Sequence, residues 1–298
     1  VLSSWVIRAT RIVYKGRTVR SVDARGSGSW MTSVSEESQV PPGLDPKIPH
    51  SARMYDWWIG GKDNFAADRE LGDRFAQAIP SIPAMARENR AFMHRVVRYL
   101  AGTAGIRQFL DIGTGIPTRP NVHEIAQKIA PETRVVYVDN DPLVLSHARA
   151  LMVGDPAGLT AYIDADFTKP DQILADEDLR RVLNLDEPVG LLLIAVLMLA
   201  RDADDPWAAV RALLDALPSG SYVAITHPGQ DFDPAAMAAI VGAATQAGMV
   251  LVPRVQSEVA RFFADWDLVE PGVVPVSTWH PDKEPGDAFY WAGLARKP

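Results

Sequence analysis

The stretch FLDIGTGIPTRP, residues 109–120, decides how the rest of the chain is read. An apolar run ends in Asp111, Gly113 and Gly115 form a Gly-x-Gly, and prolines stand at 117 and 120. A strand-like run that stops at a glycine turn and passes into a helical pattern is the opening βα unit of a parallel sheet. Outward from it the cycle repeats. IRQFLD is a strand and NVHEIAQKIA a helix with Asn121 and Glu124 at capping-box spacing; RVVYVD is a second strand, followed by the helix DPLVLSHARALM. TAYIDAD, a helical stretch over 170–183, VGLLLIAV, DPWAAVRALLDAL and GSYVAIT continue the alternation. Helices are predicted in PAAMAAIVGAATQAG and QSEVARFFA, and strands in LVEPGVVPV and AFYWAGLAR. The expected fold is α/β, a doubly wound and mostly parallel seven-stranded sheet with helices on both faces.

Before the first strand the pattern is helical. Met85, Phe92, Met93, Val96, Val97 and Leu100 share one helix face, and that helix is expected to end before Gly102. HSARMYDWWIGGKDNFAADRE, from His50, predicts a helix ending near Ile59, a turn at Gly60-Gly61, and a second helix with Asp63 or Asn64 as N-cap. These segments make an N-terminal helical cap, 48–104, of one domain spanning 48–298. Residues 1–47 read as a disordered tail, basic at first and then polar and proline-containing. Met31 followed by TSVSEES resembles a translation start, so the first thirty residues are expected to be an upstream extension. WVIRATRIVY, broken by Arg8 and Arg11, makes a poor signal-peptide core.

Composition narrows the class of function. The 298 residues, 47% of them hydrophobic, suffice for a large core. Cysteine is absent, which excludes disulfides and a cysteine nucleophile and favours a cytoplasmic setting. The longest apolar run, VGLLLIAVLMLA at 189–200, falls short of the roughly 20 residues a membrane span needs. The first thirty residues hold six basic residues and one acid, leaving 24 basic against 36 acidic in the remainder. So acidic a body is a poor nucleic-acid binder, and small molecules are the expected partners.

Ligands of an open parallel sheet bind at the carboxyl ends of its strands. Acids stand there: Asp111 after strand one, Asp139 with Asn140 and Asp141 after strand two, Asp164 and Asp166 after strand three. A dinucleotide fingerprint would place a third glycine where this chain has Thr118. Pro117 and Pro120 also remove N–H groups that would face a pyrophosphate. S-adenosylmethionine has no phosphate and carries an ammonium and a sulfonium, so an acidic loop attracts it.

FLDIGTG, YVDNDP and YIDAD resemble motifs one to three of the class I S-adenosylmethionine-dependent methyltransferases. More narrowly, HSARMYDWWIGGKDNFAADRE, FLDIGTGIPTRPNVHEIAQ, VVYVDNDPLVLSHARALM and YWAGLARKP resemble an actinobacterial S-adenosyl methyltransferase family, over roughly residues 48–298. The resemblance implies that Asp111, Gly113, Thr114 and Gly115 line the methionine part of the cofactor. Asp139 would accept from the ribose hydroxyls, Asn140 would lie beside adenine, and Asp164-Ala165-Asp166 would place a carboxylate near the adenine amine. Ala195, where strand four ends, is placed with them. Tyr55, Trp57 and Trp58 are candidates for an aromatic lid, with Lys62, Asp63 and Asn64 in reach of the cofactor's carboxylate and ammonium.

Catalytic groups are less legible, because methyl transfer needs alignment more than a nucleophile. Strand four lacks the Asn/Asp-Pro-Pro-Tyr signature of amino-group methyltransferases. Met198, where the family often carries histidine, reads as packing. His227 in AITHPG is the one candidate general base. His50, His94, His123 and His147 show no metal-ligand spacing, and no metal is expected. Arg87 and Arg90 read as a solvated face rather than a clamp for an acidic substrate. The expected function is methyl transfer from S-adenosylmethionine to a small oxygen or nitrogen acceptor. The alternatives are a cofactor-binding module without catalysis and an NAD(P)-dependent oxidoreductase.

Overall fold

Five parallel strands form the middle of the sheet: β1 (Gln108–Ile112), β2 (Arg134–Asp139), β3 (Leu159–Asp164), β4 (Gly190–Ile194) and β5 (Tyr222–Pro228). Three strands follow in the C-terminal part, β6 (Asp267–Leu268), β7 (Val274–Pro275) and β8 (Tyr290–Arg296). The spatial order is β3-β2-β1-β4-β5-β8-β6, with β8 antiparallel to β5 and β7 pairing with β8 beside that path. The run expected to be one strand over 268–276 is split into β6 and β7. Pro271 supplies no N–H there, and Gly272 takes φ 88°.

The structure is a computed structural model that describes residues 44–151, 157–286 and 289–298, without the side chains of 147–151. The expected tail as far as residue 43, with Met31, and the side chain of His147 lie outside the described residues.

Helices cover both faces, as near-continuous apolar strands require. Three precede β1: α1 (Ser51–Ile59), α2 (Ala66–Ala78) and α3 (Ile82–Gly102). Between strands lie α4 (Val122–Ile129), α5 (Pro142–Leu151), α6 (Pro170–Ala175), α7 (Glu177–Val182) and α8 (Pro206–Asp215); α9 (Pro234–Gln246) and α10 (Gln256–Ala260) follow β5. Successive strand residues serve opposite faces. Phe109, Val135, Tyr137 and Leu192 pack with α3, α4 and α9, while Leu110, Val136, Val138 and Leu191 pack with α6, α7 and α8.

The cap docks through the α3 face read from the sequence, all six of its apolar positions being buried. Buried Arg95 fixes it further, donating to Trp279 O and Val276 O, each at 2.9 Å, and pairing with Glu88 at 2.9 Å. The Gly60-Gly61 turn forms as expected, with Gly60 at φ 88°. The N-cap of α2, however, is neither Asp63 nor Asn64. Buried Asp56 at the end of α1 accepts from the Asp63 N–H and from Asn64 Nδ2, which occupies both. Helix α2 begins one residue later, where the Asp68 carboxylate accepts from the Phe65 N–H at 2.8 Å.

Candidate functional site

The chain turns from the β3 side of the sheet to the β4 side of β1, so the crossovers diverge above the carboxyl ends of β1 and β4. A cavity of about 420 Å³ lies there, bounded by the strand ends and loops, by the cap helices and by α9. Its size suits a small ligand.

One half of the cavity is polar and built by loops. After β1, Gly113 (φ 73°) and Gly115 (φ 66°) take left-handed conformations that fold the loop back. The N–H of Gly113 donates to Val138 O at 2.8 Å, fastening the loop over the end of β2. A Cβ on Gly113 would run into Val196 after β4. Gly113→Ala is therefore expected to lower unfolding free energy by about 2–4 kcal/mol through overpacking and strain, measured by denaturant titration. An unchanged midpoint would mean that this loop is not packed as described.

Two buried carboxylates border this loop. Asp111 is 7% exposed, and its Oδ2 accepts from the Thr114 hydroxyl at 3.0 Å. Burial raises its pKa to about 7, against the opposing pull of Thr114 and Arg90. Asp139, 8% exposed, accepts at Oδ2 from the Gly115 N–H at 2.8 Å and at Oδ1 from the Asp141 N–H at 3.0 Å. Burial raises its pKa too, more than those backbone donors lower it. Both acids pay for desolvation without a full counter-charge from the protein. Beyond β3, Ala165 and Asp166 line the cavity with Phe167 and Thr168, and Asp166 Oδ1 accepts from the Thr168 N–H and hydroxyl.

The structure thus brings together Tyr55, Asp111, Gly113, Thr114, Gly115, Asp139, Asn140, Ala165, Asp166 and Ala195 around one space. Several expected site residues are elsewhere. Asp164 is exposed at the edge strand and Lys62 is exposed beyond the Gly-Gly turn, and neither lines the cavity. Asn64 is taken up by Asp56 and by Arg69 Nη1, which donates to its Oδ1 at 3.1 Å. Of the aromatic lid, Trp58 lines the cavity with Tyr55, whereas Trp57 Nε1 turns to Asp73.

His227 is another, and the expectation that it borders the pocket is corrected. It is fully buried with its ring parallel to Phe262, while its neighbour Pro228 lines the cavity. Its Nδ1 donates to Pro228 O at 3.1 Å, and its Nε2 accepts from Arg254 Nη1 at 3.0 Å, a neutral tautomer with both nitrogens used. Burial lowers its pKa to about 3, and the Arg254 charge adds to the shift. The unfolded chain binds a proton at this residue near pH 6.5, so it drains stability as pH falls from there toward 3. His227→Gln should flatten that part of the acid unfolding limb and, once folded, keep its methyl transfer rate. A rate loss in folded protein would return His227 to the site.

Three residues stand in the site that the sequence reading left out or set aside. Arg90 lines the cavity with its charge toward Asp111 and donates from Nη2 to Pro120 O at 2.9 Å. His50 Nδ1 lies 2.8 Å from Asp141 Oδ2, tying the cap to the loop after β2. Asn89 lines the cavity at 1% exposure. It stands four residues after Met85 and four before Met93, a polar residue inside an apolar helix stripe, and that spacing was the available signal.

The doubly wound sheet, the glycine loop and the two strand-end acids define a Rossmann-like protein of the class I methyltransferase type. Residues 37–298 match the model of a family described as S-adenosyl methyltransferase, and the chain belongs to that family. It is similar to a DUF574 family protein of Streptomyces avermitilis MA-4680, with 46% identity, coverage of 85% of this chain and 99% of that one, and a TM-score of 0.83. It is also similar to a candidate methyltransferase of Thermobifida fusca YX, with 41% identity, 86% and 97% coverage, and a TM-score of 0.79. No protein of curated function matches it. The family's cofactor is S-adenosylmethionine, and the residues present fit it: two buried, under-compensated carboxylates face the cavity, acceptors suited to the ammonium and the ribose hydroxyls of a phosphate-free ligand.

Proposed function

We propose that residues 48–298 form a methyltransferase domain, with 48–104 as its cap, that passes the methyl group of S-adenosylmethionine to an oxygen or nitrogen of a small molecule. The observation that carries this is the single cavity holding Asp111 and Asp139 at its polar end and an apolar chamber under the cap at the other. Bound S-adenosylmethionine supplies a methyl on a sulfonium, a leaving group good enough that no covalent step on the protein is needed.

The chain's residues then bind, orient and exclude water. Asp139 would accept from the ribose hydroxyls with the lone pairs that the Gly115 and Asp141 N–H groups leave free. Asp111, in the field of Arg90, would hold the ammonium. Asn140, Ala165 and Asp166, which line the cavity together, would hold the adenine. Ala195 and Met198 close the wall after β4. Holding the reactants in line can supply on the order of 7–11 kcal/mol of the barrier, which the shielding of His227 leaves untouched.

The test is calorimetry with S-adenosylmethionine and with NAD(P), followed by assay for S-adenosylhomocysteine against a panel of small acceptors. Saturable binding of S-adenosylmethionine with acceptor-dependent turnover is expected. Binding of NAD(P) alone would overturn the assignment, and cofactor binding without turnover on any acceptor would favour the non-catalytic module.

A further inference from the structure

The apolar half of the cavity carries information about what it accepts. Of the chain's eight methionines, Met31 and Met152 lie outside the described residues, and the other six all line this one cavity. Met54 comes from α1, Met85 and Met93 from α3, Met198 from the turn after β4, Met237 from α9, and Met249 from the segment after α9. Unbranched, polarisable side chains from five directions make a wall that adapts its shape and favours sulfur contacts to ring edges. Rings are offered as well, by Trp58, Phe75 and Phe289.

Cationic side chains are nearly absent from the cavity. Among the described residues, Arg90 is the only Arg or Lys lining the cavity, and it is held by Pro120 O and the field of Asp111. A phosphorylated or polyanionic acceptor would find no counter-charge to replace its water.

One polar atom is left over. Asn89 Oδ1 is buried and has no hydrogen-bond partner. The orientation of its amide is fixed by its neighbour: the Tyr55 hydroxyl donates to Ala86 O at 2.6 Å, so its oxygen accepts from Asn89 Nδ2 at 3.3 Å. The carbonyl end of Asn89 is therefore an unsatisfied, buried acceptor on a residue that lines the cavity, where a missing partner is costly and a small turn of the side chain would offer it to a ligand.

We propose that the methyl acceptor is a neutral, flat, largely apolar ring molecule bearing one hydroxyl or N–H, which Asn89 Oδ1 accepts, while the methionine wall takes up the ring. This rests on the methyltransferase reading of the same site. Asn89 then determines specificity, because a ring without a donor leaves its carbonyl unpaired.

The test uses the full chain, with and without S-adenosylhomocysteine, and three probes of one ring size: β-naphthol, naphthalene and β-naphthyl phosphate. β-Naphthol is expected to bind about tenfold more tightly than naphthalene, with the phosphate weakest. Asn89→Leu should bring β-naphthol and naphthalene to equal affinity. Met249→Glu, at a half-buried position outside the α3 packing, should weaken β-naphthol about tenfold and leave S-adenosylmethionine affinity as it was. The inference is overturned if the phosphate binds as well as the naphthol, if no ring binds, or if the parent does not prefer the donor. It fails equally if Asn89→Leu weakens S-adenosylmethionine and leaves the naphthol preference, since Asn89 would then serve the cofactor. Failure of S-adenosylmethionine itself to bind sinks the methyltransferase reading instead, and the cofactor-free ranking of the probes still decides the chamber's chemistry.

Discussion

Asp139→Ala should bind S-adenosylmethionine about a hundredfold more weakly than the parent, because a buried charge-assisted pair lost on one side costs a few kcal/mol. The fold should survive. Asp139 is a desolvated carboxylate with a raised pKa, so its removal relieves a cost even as the Gly115 and Asp141 N–H groups lose their acceptor. Calorimetry on protein with a parental circular-dichroism spectrum reads the effect. Affinity within a few-fold of the parent would show that the ribose end of the cofactor lies elsewhere in the cavity.

Asp111→Asn should act in two opposite directions. The carboxyl titrates near 7 in the folded protein and at 3.8 in the reference state, so the folded state holds the extra proton between those values. Stability contributed by this group is thus present below about pH 4 and is lost as pH rises toward 7. An uncharged amide escapes that loss. At pH 8 and without cofactor the variant should be more stable than the parent by about 2–4 kcal/mol, with little difference at pH 4. Cofactor binding responds in the other sense. The ammonium needs the ionised acid, so parental affinity should rise about tenfold from pH 6 to pH 8, while the Asn variant binds weakly and without that slope. Thermal unfolding with and without S-adenosylmethionine at both pH values measures all four quantities. A parent whose cofactor affinity is flat with pH would remove Asp111 from the ammonium.

Much of the fold was legible because strand, turn and helix patterns agree along the chain from Gln108 to Pro228. The apolar stripe of α3 and the acids at the ends of β1 and β2 were legible for the same reason: periodicity and position within a βα unit are local properties. What failed was non-local. His227 stands at a strand end as expected, but both faces of β5 are buried, so no polar alternation in the sequence tells which face a given side chain serves. Its ring goes to the Phe262 side, and the cavity receives Pro228 instead. Asn64 and Asp63 have good capping chemistry, yet Asp56, seven and eight residues earlier, captures them across the Gly-Gly turn. Asn89 was overlooked because a single amide in an apolar stripe looks like tolerance until its carbonyl is seen without a partner.

The gathering of methionines has one more consequence, which concerns damage rather than recognition. The chain has no cysteine, so among the described residues every oxidisable sulfur belongs to the lining of this cavity. Sulfoxide formation there would turn a soft apolar wall into a polar and stiffer one, with the strand-end acids chemically unchanged. Among the described residues, methionine oxidation would thus be written into the chamber beneath the cap, and reductase repair of the sulfoxides would restore it.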